Sequence, residues 1–453
     1  MKVRWFRSAT VSIESAAGTK ILCDPWLTDG AYIGSWFHWP PLQDDTLEQV
    51  CGERWDAIYV SHLHPDHFDR RTLSKIVRQH PGLRVVIPDF AHPWLRRAVL
   101  NCGVPTSKLS SLGRNERLRI GDIDITVLTA DACSPDLCGV SIPCSHASPN
   151  HAAIDSLAVF EADGQKIVNA NDALAVSSVW RVLATLGEAD LLMAHYGGAG
   201  PFPQCFSNLS KDEKVEAADR TSKVFLDRLV SAANAINAKY VLPFAGQYQL
   251  AGRLVDLNRF RSMKSLSESC IYLGDRTASE VIALAPFASF DLTSEEISEQ
   301  WREPSSEELL SYLEKLRSIK FPYESRELPW NAMQEDVQRA FSKLNRAWLS
   351  SPEAKSAKSD TSIVLKGNRD FAFALHFIGD TCFMSSDLEP RSESSTTIEG
   401  PDLLWNRLIR RRVGYLGFTP FHFNQAEIGS HFSWHRSGGY TGEFRFLNFF
   451  QSS

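Results

Sequence analysis

The first half of the chain alternates short apolar runs with segments whose apolar residues recur at helical spacing. Runs rich in β-branched and aromatic residues that alternate with polar ones are typical of strands. They lie at Val3–Phe6, Thr10–Ser15, Lys20–Cys23, Ile58–Val60, Arg84–Ile87, Arg117–Leu128, Leu157–Glu161, Lys166–Val168, Leu191–Ala194 and Tyr240–Pro243. Helical periodicity covers Arg71–Gln79, Val176–Leu186 and Lys211–Ala238. Strands followed by βα units, twice over, predict an α/β structure of two sheets with helices outside.

The second half has a different pattern. Two helices are predicted at Ser305–Ile319 and Trp330–Trp348, and a Ser/Ala/Lys-rich linker follows them. Three further apolar runs, between residues 362 and 385, predict a small meander, and a helix is predicted from Pro401. We therefore expect one domain over residues 1–300 and a small α+β accessory domain over residues 301–453.

Composition and charge narrow the class of protein. The 453 residues carry a net charge of −6, which gives no basic surface for nucleic acid. No apolar run is long enough for a transmembrane helix, which needs about 20 residues. The nine cysteines are odd in number and scattered, as in reduced proteins of the cytoplasm, so we expect a cytoplasmic protein.

One string carries most of the chemistry. Residues 61–69 read Ser-His-Leu-His-Pro-Asp-His-Phe-Asp and follow directly on a predicted strand. The pattern H-x-H-x-D-H brings His62, His64, Asp66 and His67 into one turn. Imidazole nitrogens and carboxylate oxygens are ligands for zinc, iron or manganese. The string therefore predicts a metal site at the end of this strand.

More ligands must come from elsewhere in the fold. Asp172 follows a predicted hairpin, where it could bridge two cations or cap a helix. His151 and His146 precede the same hairpin, and we favour His151 as the ligand. His195 ends the strand Leu191–Ala194 and is either a site residue or a structural histidine.

In this order the motifs resemble those of the metallo-β-lactamase superfamily. The resemblance covers roughly residues 1–250 and implies an αββα sandwich with a further C-terminal α+β domain. It implies that Asp24 supports the ligands through a hydrogen bond without binding metal itself. It also implies one metal position at His62, His64 and His151 and another at Asp66 and His67, bridged by Asp172.

One departure from the family pattern concerns the last ligand. Most members carry a histidine after a late strand, in a Pro-x-His-Gly setting. Residues 241–246 here read Val-Leu-Pro-Phe-Ala-Gly, with no histidine. A mononuclear or atypical centre is therefore favoured, with one or two ions of Zn²⁺ or Fe²⁺, and His195 is a candidate replacement.

Two further strings indicate a subfamily. Residues 23–27 read Cys-Asp-Pro-Trp-Leu and residues 34–41 read Gly-Ser-Trp-Phe-His-Trp-Pro-Pro. Together with the turn at residues 243–246 they look like the metal-binding domain of CMP-N-acetylneuraminate hydroxylases, which are iron oxygenases fed by a Rieske cluster. A Rieske centre needs a Cys-x-His and a Cys-x-x-His pair, and the chain contains no Cys-x-x-His.

Aromatic residues crowd the loop after the early strand. Trp26, Trp36 and Trp39 either bind an apolar or ring-shaped group of the substrate or cover the core. Sequence alone does not choose between these two interpretations.

Two functions are compatible with these motifs. The first, favoured as the common chemistry of the fold, is hydrolysis of an ester, lactone or phosphoester by metal-activated water, with Asp66 as the catalytic carboxylate. The alternative is a non-haem iron oxygenase that hydroxylates a biosynthetic intermediate and draws electrons from a separate donor protein. Either function implies a small-molecule substrate. The sequence is also compatible with a homo-oligomer.

Overall fold

The computed structural model of the protein describes residues 1–90, 93–129, 155–175, 179–324, 360–368, 372–378, 381–405 and 421–437. The strands that precede residue 172 are β1 (Lys2–Arg7), β2 (Thr10–Glu14), β3 (Lys20–Cys23), β4 (Trp36–His38), β5 (Ala57–Tyr59), β6 (Arg84–Pro88), β7 (Leu109–Leu112), β8 (Arg117–Ile120), β9 (Ile123–Thr129), β10 (Ser156–Ala162) and β11 (Gln165–Asn171). The later strands are β12 (Leu191–His195), β13 (Tyr240–Phe244), β14 (Tyr248–Leu250), β15 (Glu280–Val281), β16 (Ser289–Asp291), β17 (Glu296–Ile297), β18 (Thr361–Lys366), β19 (Ala372–Ile378), β20 (Thr381–Ser385), β21 (Ser395–Glu399) and β22 (Ser433–Ser437).

Helices connect and flank these strands. They are α1 (Ala31–Gly34), α2 (Thr46–Gly52), α3 (Arg70–Gln79), α4 (Trp94–Leu100), α5 (Val179–Leu186), α6 (Lys211–Ala235), α7 (Leu266–Gly274), α8 (Ser306–Arg317) and α9 (Phe421–Ile428). Short 3₁₀ helices lie at Thr106–Lys108, Ala173–Ala175 and Gly252–Phe260. Among the described residues, no helix is both long enough and apolar enough to cross a membrane.

Two large sheets form the centre of the molecule. The first has the strand order β17-β16-β1-β2-β3-β5-β6-β7, and the second has the order β15-β13-β12-β11-β10-β9-β8. Strands β3, β5, β6 and β7 run parallel in the first sheet, as do β11, β12, β13 and β15 in the second. Because parallel strands point the same way, their carboxyl ends meet at one edge of each sheet.

The side chains along each strand point alternately to its two faces, and this alternation explains how the sheets and helices form layers. On β3, Ile21 and Cys23 lie in the core between the sheets, whereas Leu22 packs with residues of the helices α2, α3 and α4. On β12, Met193 lies in the same central core, and Leu192 packs with residues of the helices α5, α6 and α7. Successive strand residues point to opposite faces, so one run of apolar residues fills two layers. The result is the metallo-β-lactamase αββα sandwich predicted from the sequence.

The long helix α6 shows how local signals set its ends. Ser210 accepts a hydrogen bond from the backbone N–H of Glu213, and the Glu213 carboxylate accepts one from the backbone N–H of Ser210, which forms a capping box. The helix ends at Ala235, three residues before the predicted end, and Asn237 follows in the left-handed region with φ of 43°. Asparagine tolerates this conformation, so the chain turns here into β13.

Besides the two-stranded sheet of β14 and β4, a five-stranded sheet comes from the C-terminal part of the chain. Its five strands have the order β20-β19-β18-β21-β22, and β18 pairs with β21 in parallel. This additional sheet agrees with the predicted C-terminal α+β part. It packs through Ile363, Leu375 and Trp434 against Trp26, Tyr32 and other residues of the sandwich, in one shared apolar core. The domain boundary at residue 300 stays a prediction.

Candidate metal centre

The site forms where parallel strands of both sheets end. Asp24 follows β3, the predicted ligand loop at residues 61–69 follows β5, Asp172 follows β11, and His195 is the last residue of β12. Because these strands are buried and paired, their ends hold the polar side chains at fixed positions. The sequence placed these residues at strand ends, and the structure brings the ends together.

Asp24 anchors the ligand loop. Its carboxylate is fully buried and accepts hydrogen bonds from the Ser61 backbone N–H at 2.7 Å and the Ser61 hydroxyl at 2.7 Å. The His67 Nδ1 atom lies 3.0 Å from the same carboxylate. Because a carboxylate only accepts, Nδ1 carries the proton and Nε2 of His67 is left to act as a ligand. These hydrogen bonds are the ones expected of a residue that supports the ligands, and that role of Asp24 stays a prediction.

Two overlapping groups of side chains could hold a metal ion. The ligand atoms of His62, His64 and Asp155 all lie within 4.8 Å of one another, and so do those of His62, His67 and Asp172. The His62 Nε2 atom is 2.9 Å from His64 Nδ1 and 3.6 Å from Asp155 Oδ1. On the other side, Asp172 Oδ2 is 3.3 Å from His67 Nε2. Each group therefore combines two imidazoles with one carboxylate.

Asp66 lies beside these groups and has a partner of its own. The Tyr32 hydroxyl donates a hydrogen bond of 2.6 Å to Asp66 Oδ1, and Oδ2 is 3.7 Å from His67 Nε2. Both Tyr32 and Asp66 are buried. Burial, reinforced by Asp66, raises the pKa of the Tyr32 phenol well above its usual value, so this group keeps its proton and donates.

His195 lies beside Asp172. Its Nδ1 atom is 2.8 Å from the Asn171 carbonyl oxygen, an acceptor, so Nδ1 carries the proton. The Asp172 Oδ1 atom lies 3.6 Å from the same nitrogen. The Nε2 atom is buried and makes no hydrogen bond within the described residues, and His195 is in neither of the two groups above.

Charges in the site are strongly coupled. Burial alone would raise the pKa of Asp172, but His67, His195 and His62 outweigh it and hold that pKa well below the usual range. Burial lowers the pKa of His62 well below its usual value, with a further contribution from His67. A neutral His62 and an ionised Asp172 are the protonation states that bind a cation, whereas Asp172 and Asp66 outweigh burial and raise the pKa of His67, so a cation would displace a proton there.

The chemistry of these donors fits a metal ion. The His67 Nε2 atom is buried and makes no hydrogen bond of good geometry within the described part of the chain. A buried imidazole nitrogen normally has a partner, and here a cation would supply it. Imidazole and carboxylate ligands suit zinc, iron or manganese. The residues present therefore fit a divalent metal ion.

Asp155 is the site residue that sequence reasoning missed. Its position follows from the next residue: the Ser156 hydroxyl donates to the Ser61 carbonyl at 2.9 Å and lies 3.0 Å from the Tyr59 hydroxyl. These contacts tie the start of β10 to the ligand loop. The only signal in the sequence was an acidic residue immediately before a buried strand. His151 and His146, the predicted candidates nearby, lie outside the described residues.

Ala245 occupies the place where the family pattern has its last histidine. It follows β13 with φ of 56°, and its backbone N–H donates to the Ser8 carbonyl at 3.0 Å. Its methyl side chain supplies no metal ligand.

The predicted aromatic residues are packed into the protein. Trp26, Trp36 and Trp39 are only 1%, 2% and 8% exposed. The Trp36 ring stacks on Tyr248 with centroids 3.4 Å apart, and Trp39 stacks on Tyr312 at 5.4 Å. Packing accounts for these positions, and contact with substrate stays a prediction.

Two relatives are similar to about half of the chain. A protein of Mycobacterium tuberculosis, provisionally named a Rieske 2Fe-2S iron-sulfur protein, is 30% identical over 250 residues, which are 54% of this chain and 44% of the relative. The cytidine monophosphate-N-acetylneuraminic acid hydroxylase of Cricetulus griseus is 25% identical over 243 residues, 51% of this chain and 37% of the relative. The chain thus spans less than half the length of either protein.

A solved structure and a family model are also similar to the chain. A possible metal-dependent hydrolase from Veillonella parvula is 14% identical, with a TM-score of 0.43 over 64% of this chain and 98% of that one. The family model of the beta-lactamase superfamily domain matches residues 2–245, which contain every described residue of the site. The protein therefore belongs to the beta-lactamase superfamily.

Proposed function

We propose that the protein is a non-haem iron-dependent oxygenase that hydroxylates a small molecule. The observation that carries the proposal is the composition of the first ligand group, in which His62 and His64 lie with Asp155. The second group shares His62 and adds His67 and Asp172. Two imidazoles and one carboxylate, with open positions, are the ligand set typical of non-haem Fe(II) oxygenases.

The proposed ligand assignment has two positions. His62 and His64 hold one ion together with Asp155, which takes the place first predicted for His151. His67 and Asp66 hold the other, and Asp172 lies between them, 3.3 Å from His67 Nε2 and 3.8 Å from His62 Nε2. The second position is rich in carboxylates and has no histidine at residue 245, and carboxylate-rich sites with few histidines hold iron or manganese in di-iron and di-manganese proteins.

When bound, iron would supply the redox chemistry that activates dioxygen for insertion into a C–H bond. The balanced reaction consumes the substrate R–H, one O₂, two electrons and two protons, and yields R–OH and water. The two electrons must come from a reductant, and a separate iron–sulfur protein is the proposed donor. Support comes from the two relatives, one named a hydroxylase and the other a Rieske iron-sulfur protein.

The residues of this chain would hold the metal ligands in place and keep water away from the site. Asp24 and Tyr32 hold His67 and Asp66 in place through hydrogen bonds of 3.0 Å and 2.6 Å. His62, His67 and Asp66 are buried, so few solvent molecules compete with the substrate. A preorganised, dry site of this kind also protects reactive species from side reactions.

A second candidate function is metal-dependent hydrolysis. Two histidines and one carboxylate also form catalytic zinc sites, with water in the fourth position. In that case Asp66 would orient the attacking water or accept its proton, because its Oδ2 atom lies on the His67 side of the centre. The substrate would be an ester, lactone or phosphoester.

Elemental analysis of the purified protein distinguishes the two functions. Iron close to stoichiometric, with a visible absorption band and oxygen consumption under reducing conditions, is the expected result. Zinc alone, with turnover of an ester or a lactone, would overturn the oxygenase proposal.

Variants test the ligand assignment in the same measurement. His64→Ala and Asp172→Ala should lose metal. His80→Ala is the matched control, because His80 lies at the end of α3 and its Nε2 atom contacts the Cys51 carbonyl, away from the site. Full metal content in both site variants would disprove the assignment.

A further inference from the structure

We propose that the C-terminal part of the chain completes the metal centre by positioning Tyr32, which in turn orients Asp66. The residues involved, Tyr323, His431, Tyr32 and Asp66, form a continuous series of contacts that we call the positioning chain. The inference rests on the proposed function, because it takes Asp66 as a ligand. It gives the additional sheet and helix α9 a role in metal binding.

The inner end of the positioning chain fixes the rotation of Asp66. The Tyr32 hydroxyl donates a hydrogen bond of 2.6 Å to Asp66 Oδ1, so that Asp66 Oδ2 faces His67 Nε2. Without the phenol, the carboxylate could rotate and offer either oxygen. Partners of this kind are known to tune how tightly a ligand holds its metal.

Tyr32 itself is held in an unusual backbone conformation. Its φ and ψ are 51° and 59°, and Ile33 follows at 61° and 32°, so two non-glycine residues in a row are left-handed. Such residues are uncommon, and they persist only where the surroundings hold them in place. The loop therefore needs support from outside its own sequence.

His431 supplies that support from the C-terminal part. Its Nε2 atom is 2.8 Å from the Tyr32 carbonyl oxygen, and its Nδ1 atom is 2.7 Å from the Tyr323 hydroxyl. Because a carbonyl only accepts, Nε2 carries the proton, and Nδ1 accepts from the phenol. Arg253 donates to the Tyr323 hydroxyl at 3.0 Å and to the His431 carbonyl at 3.1 Å. His431 is buried, so water does not compete for these bonds.

Helix α9 approaches the loop as closely as its backbone allows. A Cβ atom added at Gly429, the residue after α9, would lie 2.7 Å from the Gln425 carbonyl oxygen of α9 and 2.8 Å from both the Tyr32 carbonyl oxygen and the Ser35 hydroxyl. No side chain larger than hydrogen fits there without a local shift. The contact between the C-terminal part and the Tyr32 loop is therefore close-packed at Gly429, two residues before His431.

The test measures Co²⁺ binding to the metal-free full-length protein by calorimetry and by visible absorption, which reports on the coordination of the ion. Tyr32→Phe keeps the ring and removes the hydroxyl. We expect it to weaken Co²⁺ binding by about 10- to 100-fold and to change the absorption bands. His431→Phe should act in the same direction, and His431→Gln should restore part of the affinity, because its amide can again donate to the Tyr32 carbonyl.

Two matched controls separate positioning from general packing. Tyr248→Phe removes another buried phenol of the same aromatic cluster, and His376→Phe removes a buried histidine of the C-terminal sheet that contacts Ser362. Both should leave Co²⁺ affinity and spectrum as in the wild type. Thermal unfolding of each metal-free variant verifies that it is folded, and Tyr323→Phe, which removes one hydroxyl, replaces any His431 variant that is not.

The outcomes distinguish this inference from the proposed function. If His64→Ala abolishes Co²⁺ binding while Tyr32→Phe and His431→Phe bind as the wild type does, the positioning chain is wrong and the metal centre stands. If His64→Ala also binds normally, the metal centre itself is wrong. Equal losses in Tyr32→Phe and in the Tyr248→Phe control would likewise overturn the positioning role.

Discussion

The two sides of the candidate metal centre are built in different ways. The local side is the loop at residues 61–69, a single string of ligands anchored by Asp24. The assembled side consists of Asp155, Asp172 and Tyr32, which come from three distant segments. The local side has its geometry fixed by one strand and one buried carboxylate. The assembled side depends on how the second sheet and the C-terminal part pack.

The largest expected effect comes from breaking the local side at Asp24. Asp24→Ala removes a buried carboxylate that accepts from Ser61 and His67 and leaves their donors without partners. Removal of one partner of a buried pair costs about 3–5 kcal/mol, so we expect the free energy of unfolding to fall by that amount. Urea unfolding of the metal-free protein measures it.

Ser305→Ala is the control for Asp24. The Ser305 side chain caps α8 by accepting a hydrogen bond from the Glu308 backbone N–H at 3.2 Å. Loss of a helix cap costs about 1 kcal/mol. Equal losses in the two variants would mean that Asp24 is no more than another capping residue.

The next effect tests the assembled side at Asp155. We expect Asp155→Ala to weaken metal binding by more than about 100-fold, since loss of a ligand exceeds the cost of losing a hydrogen-bonded neighbour of a ligand. His151→Ala is the comparison, because the sequence favoured His151 for this position. Calorimetric titration with Zn²⁺ measures both variants. A larger loss in His151→Ala would restore the first assignment.

Sequence patterns predicted the parts of the fold that depend on local chemistry. Asp163-Gly164 predicted the hairpin of β10 and β11, and the structure places both residues at positive φ, 55° and 71°. The spacing of the histidines and Asp66 predicted the ligand loop. In each case neighbouring residues determine the conformation, so the pattern is visible in a short window.

The remaining part of the site was not predictable, because it depends on long-range packing. Asp155 is 93 residues away from His62 in sequence, so no short motif contains both residues. Tyr32 reaches Asp66 only because residues 30–36 fold back in a left-handed turn that His431 holds from almost 400 residues away. For Trp26, Trp36 and Trp39 the sequence left substrate contact and core cover open; the structure packs them against the core, and substrate contact stays a prediction. The pattern of residues within one segment cannot predict contacts between segments that are so far apart in sequence.

A smaller effect is expected where the C-terminal part meets the Tyr32 loop. Gly429→Ala places a methyl group 2.7 Å from the Gln425 carbonyl oxygen of α9 and 2.8 Å from the Tyr32 carbonyl oxygen. Inserting an extra methyl group into a packed site costs about 1–3 kcal/mol, so we expect the midpoint of urea unfolding to fall accordingly. Gly274→Ala, at the end of α7 with nothing within 4 Å of the added methyl group, should be neutral or slightly stabilising. Similar results for the two variants would show that α9 does not pack on the loop as described.

The smallest effect concerns Trp36, which lies between Tyr32 and Tyr248 with ring centroids 4.3 Å and 3.4 Å away. Trp36→Phe weakens both aromatic contacts, each worth about 0.5–1.5 kcal/mol. It also removes a buried indole N–H that makes no hydrogen bond within the described residues, which offsets part of the loss. We therefore expect a decrease of about 1 kcal/mol in the free energy of unfolding and an unchanged KM. A raised KM with unchanged stability would instead make Trp36 a substrate-binding residue. The assembled side would then include the aromatic contact with the substrate that the sequence suggested.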